Sequence, residues 1–240
     1  MYFIAAPFGN YLNFNGFKSV SGSFTLHPRG GRLIQIIKTL RYKNGCWYNA
    51  IGLRNPGISA GLVKHDVNDV MSLAAINPDD WKKLSDIVPE NQSLELNLSC
   101  PNIEKFESYF SGIENFINDK REFLIAKVSP HIDHIQLKYL INLGFKTIHA
   151  SNTLPTDFGG QSGNILMPYI IRIIHDIRKN FSSDIQIIAG GGVQSKKDVD
   201  KYLGEGADHI SIGTLCFHPI KLFNFLREIR LQHTYITGER

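Results

Sequence analysis

Short runs of aliphatic and β-branched residues alternate along the chain with segments whose apolar residues recur at helical spacing. The runs are Tyr2–Ala6, Lys18–Gly22, Asp69–Ala75, Leu94–Leu98, Phe123–Val128, Lys146–Ala150, Ile185–Ala189 and His209–Ile212. Most are apolar at successive positions, as expected of strands covered on both faces. Between them the spacing predicts helices over Pro78–Ile87, with Asn77 as cap and Pro78 in the first helical position, and over His131–Leu143, stopped by Gly144. Met167–Lys179, Ser195–Leu203 and Pro219–Leu231 complete the later units. Strands and helices in this order predict the α/β class and a closed parallel (β/α)8 TIM barrel, with an open doubly wound sheet as the rival arrangement. Thr25–Ala60 follows neither period and is expected to be an excursion over one barrel end, within a single domain spanning 1–240.

Composition narrows the class of partner. The 240 residues are 42% apolar and 20% charged, enough for one domain with a real core and inconsistent with disorder. A net charge of +4 suits a phosphate-bearing small molecule and is too weak to argue for nucleic acid. No apolar run approaches a membrane span, and neither a signal peptide nor an anchor is expected. Cys46, Cys100 and Cys216 form neither a metal pattern nor an even disulfide set, which points to a reducing cytoplasm.

In such a barrel, function collects on the loops after the strands. The odd residues gather there: Asn97-Leu-Ser-Cys-Pro-Asn102, Ala126-Lys-Val-Ser-Pro130, Ala150-Ser-Asn-Thr153, Ala189-Gly-Gly-Gly-Val193 and Ile212-Gly-Thr214. Gly190–Gly192 let backbone N–H groups approach an anion, Ser195 opens a helix behind them, and Gly213-Thr214 adds a neighbouring loop. Together they read as a phosphate site; tight turns are the competing reading. Lys127 at the end of an apolar strand either faces charge in the barrel mouth or snorkels to the surface. Cys100, between Asn97 and Asn102, is either a proton-abstracting base or a small inert core residue. Asparagine amides suit a heterocycle bearing carbonyl and N–H groups. Asn152-Thr153 and Asn49, with Gly52-Leu53 close behind, add more of them, although Asn49 reads equally well as a turn residue. His131 and His134 lack a third ligand, so no metal is expected.

The segment Glu95-Leu-Asn-Leu-Ser-Cys-Pro-Asn102 resembles the active-site segment of the dihydroorotate dehydrogenases, flavin enzymes of pyrimidine biosynthesis. The resemblance continues in order through Thr25–Arg29, Asn49–Gly57, Lys127, Asn152-Thr153, Gly159–Gly163, Gly191-Gly192 and Gly213-Thr214. It implies an FMN-containing barrel that oxidises dihydroorotate to orotate. Gly191, Gly192, Gly213 and Thr214 would hold the FMN phosphate, Ser162 and Gly163 would lie along the ribityl chain, and Ala5 and Ala6 near the ring. Lys127 would face the flavin and support its anionic reduced form. Asn49, Asn97, Asn102 and Asn152, with Gly52, Leu53 and Thr153, would bind the pyrimidine, and Cys100 would be the base. Cysteine at this place resembles the soluble class, which makes the expected partner a pyrimidine, with a homodimer as the candidate assembly and no membrane contact.

Two departures accompany the resemblance. The soluble class has a lysine where Gly22 stands, and the membrane-associated class has one where Asn10 stands. Lys18 or Arg29 is then the candidate replacement cation. The chain is also compact, with trimmed segments after Asn102 and between Asn152 and Gly190. The competing functions are a flavin oxidoreductase acting on another reduced pyrimidine or an enone, and a flavin-binding barrel without chemistry.

Overall fold

The computed structural model describes residues 1–67, 69–98 and 110–237. Eight parallel strands close a barrel: β1 (Tyr2–Ile4), β2 (Phe17–Phe24), β5 (Val70–Leu73), β6 (Leu94–Leu98), β7 (Leu124–Val128), β8 (Thr147–Ala150), β11 (Gln186–Gly190) and β12 (His209–Ile212). Their order around the barrel is β1-β12-β11-β8-β7-β6-β5-β2. This is the (β/α)8 TIM barrel expected from the alternation, and each expected strand contributes to it.

Alternation along each strand sorts the side chains into two cores. Phe3, Val20, Val70, Ile125 and Ile188 form a small apolar cluster of their own. Their strand neighbours of opposite parity, among them Ile4, Met71, Leu96, Ala126, Ile148 and Ile187, belong to the large outer core packed against helices. The barrel is therefore filled, not hollow.

The helices are α1 (Arg32–Thr39), α2 (Ile58–Lys64), α3 (Asp80–Ile87), α4 (His134–Leu143), α5 (Met167–Asn180), α6 (Lys196–Gly204) and α7 (Pro219–Thr237). Two starts differ from the sequence expectation. At α3 the Asp80 carboxylate reaches back to accept the N–H groups of Ile76 and Asn77, so Asn77 lies in a turn and not at the cap. At α4 the helix begins after Asp133, whose side chain forms a reciprocal capping box with Gln136. Gly144, at φ +114°, ends α4 as expected. At the other end of the chain, α7 continues past the expected Leu231 to Thr237. No helix among the described residues is long and apolar enough to cross a membrane.

Residues between β2 and β5 contain α1, a hairpin of β3 (Arg41–Lys43) and β4 (Cys46–Asn49), and α2. Asn44 and Gly45 both have positive φ (53° and 77°), the turn that an Asn-Gly pair between two strands favours. A second hairpin, β9 (Leu154–Thr156) and β10 (Gly159–Ser162), follows β8 and pairs with the first to give a four-stranded sheet, β3-β4-β10-β9. Trp47 fastens this sheet to the segment after β12, with its ring 4.4 Å from that of Phe217 and its Nε1 donating to His218 Nε2 at 3.3 Å. Phe8, after β1, packs edge-on against Phe217 at 4.8 Å. The small sheet thus stands over the ends of β1, β8 and β12.

Candidate active site

A cavity of about 820 Å³, counted to its open mouth, lies between the C-terminal ends of the barrel strands and the small sheet. The end of β1 contributes Ala5 and Ala6; the loop after β11 contributes Gly191 and Gly192; the loop after β12 contributes Gly213 and Thr214. Lys127 comes from β7, Asn152 and Thr153 follow β8, and Asn49 and Ser162 come from the small sheet. Residues more than 200 positions apart in the chain therefore share one wall. Gly163 follows Ser162 but does not line the cavity, and Gly52 and Leu53 also stand outside it. Gly52 instead gives its carbonyl to the Arg29 guanidinium at 3.4 Å. Cys100 and Asn102 lie outside the described residues.

One side of the cavity is built for an anion. Gly191 and Gly192 have φ of +95° and +79°. A Cβ at Gly192 would stand 2.8 Å from Asn164 Cα, and one at Gly191 would stand 2.8 Å from Leu166 Cδ1. The backbone turns there in a way that only glycine accepts, and a β-carbon has no room. The N–H groups of Gly192, Val193 and Thr214 have no acceptor among the described residues. The start of α6 contributes less than its position suggests, because Asp198 Oδ2 already accepts from the backbone N–H groups of Gln194 and Ser195 at 3.0 and 2.9 Å. The anion-binding capacity therefore rests on the loop amides themselves. Free amides, a glycine cradle and Lys127 on one cavity fit the phosphate and ring of FMN.

The opposite side is a hydrogen-bonded polar layer. Asn152 Nδ2 donates to Asn97 Oδ1 at 3.0 Å, Asn97 Nδ2 donates to Ser23 Oγ at 3.2 Å, and Ser23 and Ser72 hydroxyls meet at 2.8 Å. The expected substrate asparagines Asn97 and Asn152 are thus fixed relative to one another by their own amides, although Asn97 stands behind the cavity wall.

Beneath this layer lies a group that the sequence reading passed over. Glu95 Oε2 is 2.7 Å from His149 Nδ1, and Oε1 is 3.5 Å from Lys127 Nζ. Glu95 and His149 are buried at 0% and 1% exposure, and the Lys127 side chain is 8% exposed. Burial opposes ionisation of Glu95, but the Lys127 ammonium and the contact with His149 outweigh it and hold the carboxyl down at about 2. Burial pushes the His149 imidazole down toward its neutral form, against the pull of Glu95. The consistent state is an ionised Glu95, with a neutral His149 donating through Nδ1. The available signal was a Glu and a His placed, like Lys127, within otherwise apolar runs.

The two positions without the family lysines turn out to face each other. Asn10 Oδ1 accepts from the Gly22 N–H at 3.2 Å, and Asn10 Nδ2 donates to the Gly22 carbonyl at 3.1 Å. A Cβ at Gly22 would stand 2.5 Å from the Ser72 carbonyl oxygen, so this backbone excludes any side chain there. Lys18 is no replacement. Its Nζ pairs with Glu122 at 3.2 Å and lies over the Phe123 ring, at the strand-start end of the barrel. Arg29 remains at the correct end, its backbone paired with Asn55 at 2.8 and 3.0 Å. His134 pairs with Asp176 at 2.9 Å, and His131 packs edge-on against Tyr169.

Comparison with known proteins agrees with the fold. Residues 7–229 match the family model described as dihydroorotate dehydrogenase. The Thermotoga petrophila and Thermotoga maritima proteins named dihydroorotate dehydrogenase B (NAD(+)), catalytic subunit, are each 29% identical over 246 residues, with 88% of this chain and 88% of theirs covered. Among solved structures, that of DHODH from Eimeria tenella in complex with ferulenol superposes with a TM-score of 0.67 at 17% identity, covering 95% of this chain and 82% of that one. That likeness is one of fold, whereas the family match extends over most of the sequence, and this chain belongs to the dihydroorotate dehydrogenase family of oxidoreductases.

Proposed function

We propose that this protein oxidises dihydroorotate to orotate with FMN as its cofactor and Cys100 as its base. The observation that carries the reading is the meeting, on one cavity, of Lys127, the glycine cradle and the amides of Asn49 and Asn152, in a chain of this family. The amides of Gly191–Val193 and Gly213-Thr214 would hold the phosphate. Ser162 lines the same wall, with Gly163 directly after it, and Ala5 and Ala6 leave room for a planar ring beside Lys127. Asn49, Asn97, Asn102, Asn152 and Thr153 offer the donors and acceptors that a dihydropyrimidine needs. The thiolate of Cys100 takes the proton from the substrate carbon. FMN, when bound, supplies the two-electron acceptor.

Anaerobic titration of the purified protein with dihydroorotate tests this. The expected result is one FMN per chain, bleached stoichiometrically by the substrate. A folded protein that is colourless and does not take up added FMN overturns the reading. One observation favours a second reading, action on another reduced pyrimidine: the Asn10–Gly22 pairing occupies both places where the family keeps a lysine. FMN that bleaches with dithionite but not with dihydroorotate selects that alternative.

A further inference from the structure

The barrel interior below the cavity is lined by apolar side chains, Phe3, Val20, Val70, Ile125 and Ile188. A carboxylate in such surroundings is unfavourable unless a charge and hydrogen bonds compensate it. Glu95 has both, because Lys127 lies 3.5 Å from Oε1 and His149 donates to Oε2 at 2.7 Å. Lys127 alone of these reaches the cavity wall. An ammonium ion that is nearly all buried would, without a partner, tend to shed its proton and curl away.

We propose that Glu95, held in place by His149, is a positioning residue that keeps Lys127 charged and aimed into the cavity. The proposal rests on the flavin reading above for its purpose, though not for its test. The register supports the geometry. Asn97 and His149 stand directly beside Lys127 on the neighbouring strands β6 and β8, while Glu95 stands one pleat below Asn97 on the same face. His149 fixes Oε2, which leaves Oε1 turned toward Lys127. Among the described residues, the titratable groups facing Lys127 are Glu95 from β6 and His149 from β8; Asn97, Asn152 and Ser72 carry no charge. The opposite-charge pair places one fixed positive group at the cavity surface and its counter-charge one layer deeper. An anionic ligand above then meets the ammonium first.

Glu95→Gln keeps the shape and removes the charge; Glu95→Asp keeps the charge and withdraws it. The direct readout is acylation of Lys127 in apoprotein, followed by peptide mass spectrometry between pH 6 and 9, because only the neutral amine reacts. The expected order of rates at pH 8 is wild type slowest, Glu95→Asp intermediate, and Glu95→Gln about tenfold or more above wild type, since tenfold corresponds to one unit of protonation equilibrium. FMN titration of the same proteins should then show Glu95→Gln binding close to wild type at pH 6 and several-fold more weakly at pH 8.5. Acylation profiles that coincide in all three proteins overturn the proposal, whether or not FMN binds. If wild type fails to bind FMN while the profiles separate, the flavin reading falls and the positioning role stands. Should Glu95→Gln not fold, Glu95→Asp against wild type decides alone: a faster, shifted profile supports the role, and an unchanged one ends it.

Discussion

Gly192→Ala isolates the backbone geometry of the phosphate cradle. In the native loop Gly192 has φ +79°, and an added β-carbon would stand 2.8 Å from Asn164 Cα and 3.1 Å from the Gly163 carbonyl oxygen. A left-handed conformation costs an L-residue about 1–2 kcal/mol. Forcing a methyl group against packed backbone costs about 1–3 kcal/mol more, because neither neighbour is the far end of a flexible side chain. The sum, about 2–5 kcal/mol, corresponds to a fall in melting temperature of roughly 4–20 °C for a domain of this size. Gly204→Ala is the matched control. It lies at the end of α6 with no heavy atom within 4 Å of the new carbon, and is expected to change stability by less than about 1 kcal/mol. Circular dichroism melts of the apoproteins measure the stability difference. FMN titration by fluorescence measures the second consequence: relaxing the strain turns the loop, and losing one charge-assisted hydrogen bond, worth about 1.5–3 kcal/mol, weakens binding roughly 10–150-fold. Equal melts for the two variants would refute the cradle geometry, and equal FMN affinities would refute its role.

Three further outcomes follow from the same structure. Cys100→Ala should retain FMN while flavin reduction by substrate, measured in a stopped-flow instrument, slows by about two to four powers of ten; equal rates would remove Cys100 from the reaction. Lys18→Met should leave substrate KM unchanged, because Lys18 is engaged with Glu122 at the far end of the barrel, whereas Arg29→Met should raise it several-fold; a raised KM in Lys18→Met alone contradicts this assignment. Acid sensitivity has a definite sign. His149 is pushed below its ordinary 6.5, so the unfolded chain binds the proton that the native state refuses. Its contribution to stability is therefore complete above pH 6.5 and is lost below it, at up to about 1.4 kcal/mol per pH unit. Glu95, held near 2 against 4.5, contributes fully above pH 4.5 and loses that contribution between there and pH 2. Urea unfolding at pH 7.5, 6 and 5 should show a shallower decline for His149→Gln than for wild type, and parallel declines would show that His149 is protonated in the native state.

Strand identity was legible in the chain because barrel strands are buried on both faces, and two-sided burial writes itself as continuous apolar runs such as Ile187-Ile188-Ala189. Helix stops were legible where one residue type alone satisfies the backbone, as at Gly144. Helix starts were not, because the Asp80 carboxylate holds Asn77 in a turn before the helix and Asp133, not His131, opens the next one through its capping box, which only the folded geometry reveals. The small sheet escaped the periodicity because β3, β4, β9 and β10 are three or four residues long, too short for a pattern, although Asn44-Gly45 marked the first hairpin. The glycine loops, Lys127 and the asparagines were legible as chemistry in the wrong company of apolar neighbours. Which of them meet was settled by barrel closure, which sets Ala5 beside Gly213 and brings Glu95, Lys127 and His149 from three strands to one point. The charge state of that buried trio depends on distances of 2.7 and 3.5 Å between residues 54 and 32 positions apart. Coulomb energies and desolvation act through space and not along the chain, so the sequence specified which groups are present, and only the tertiary structure decided which of them carry charge.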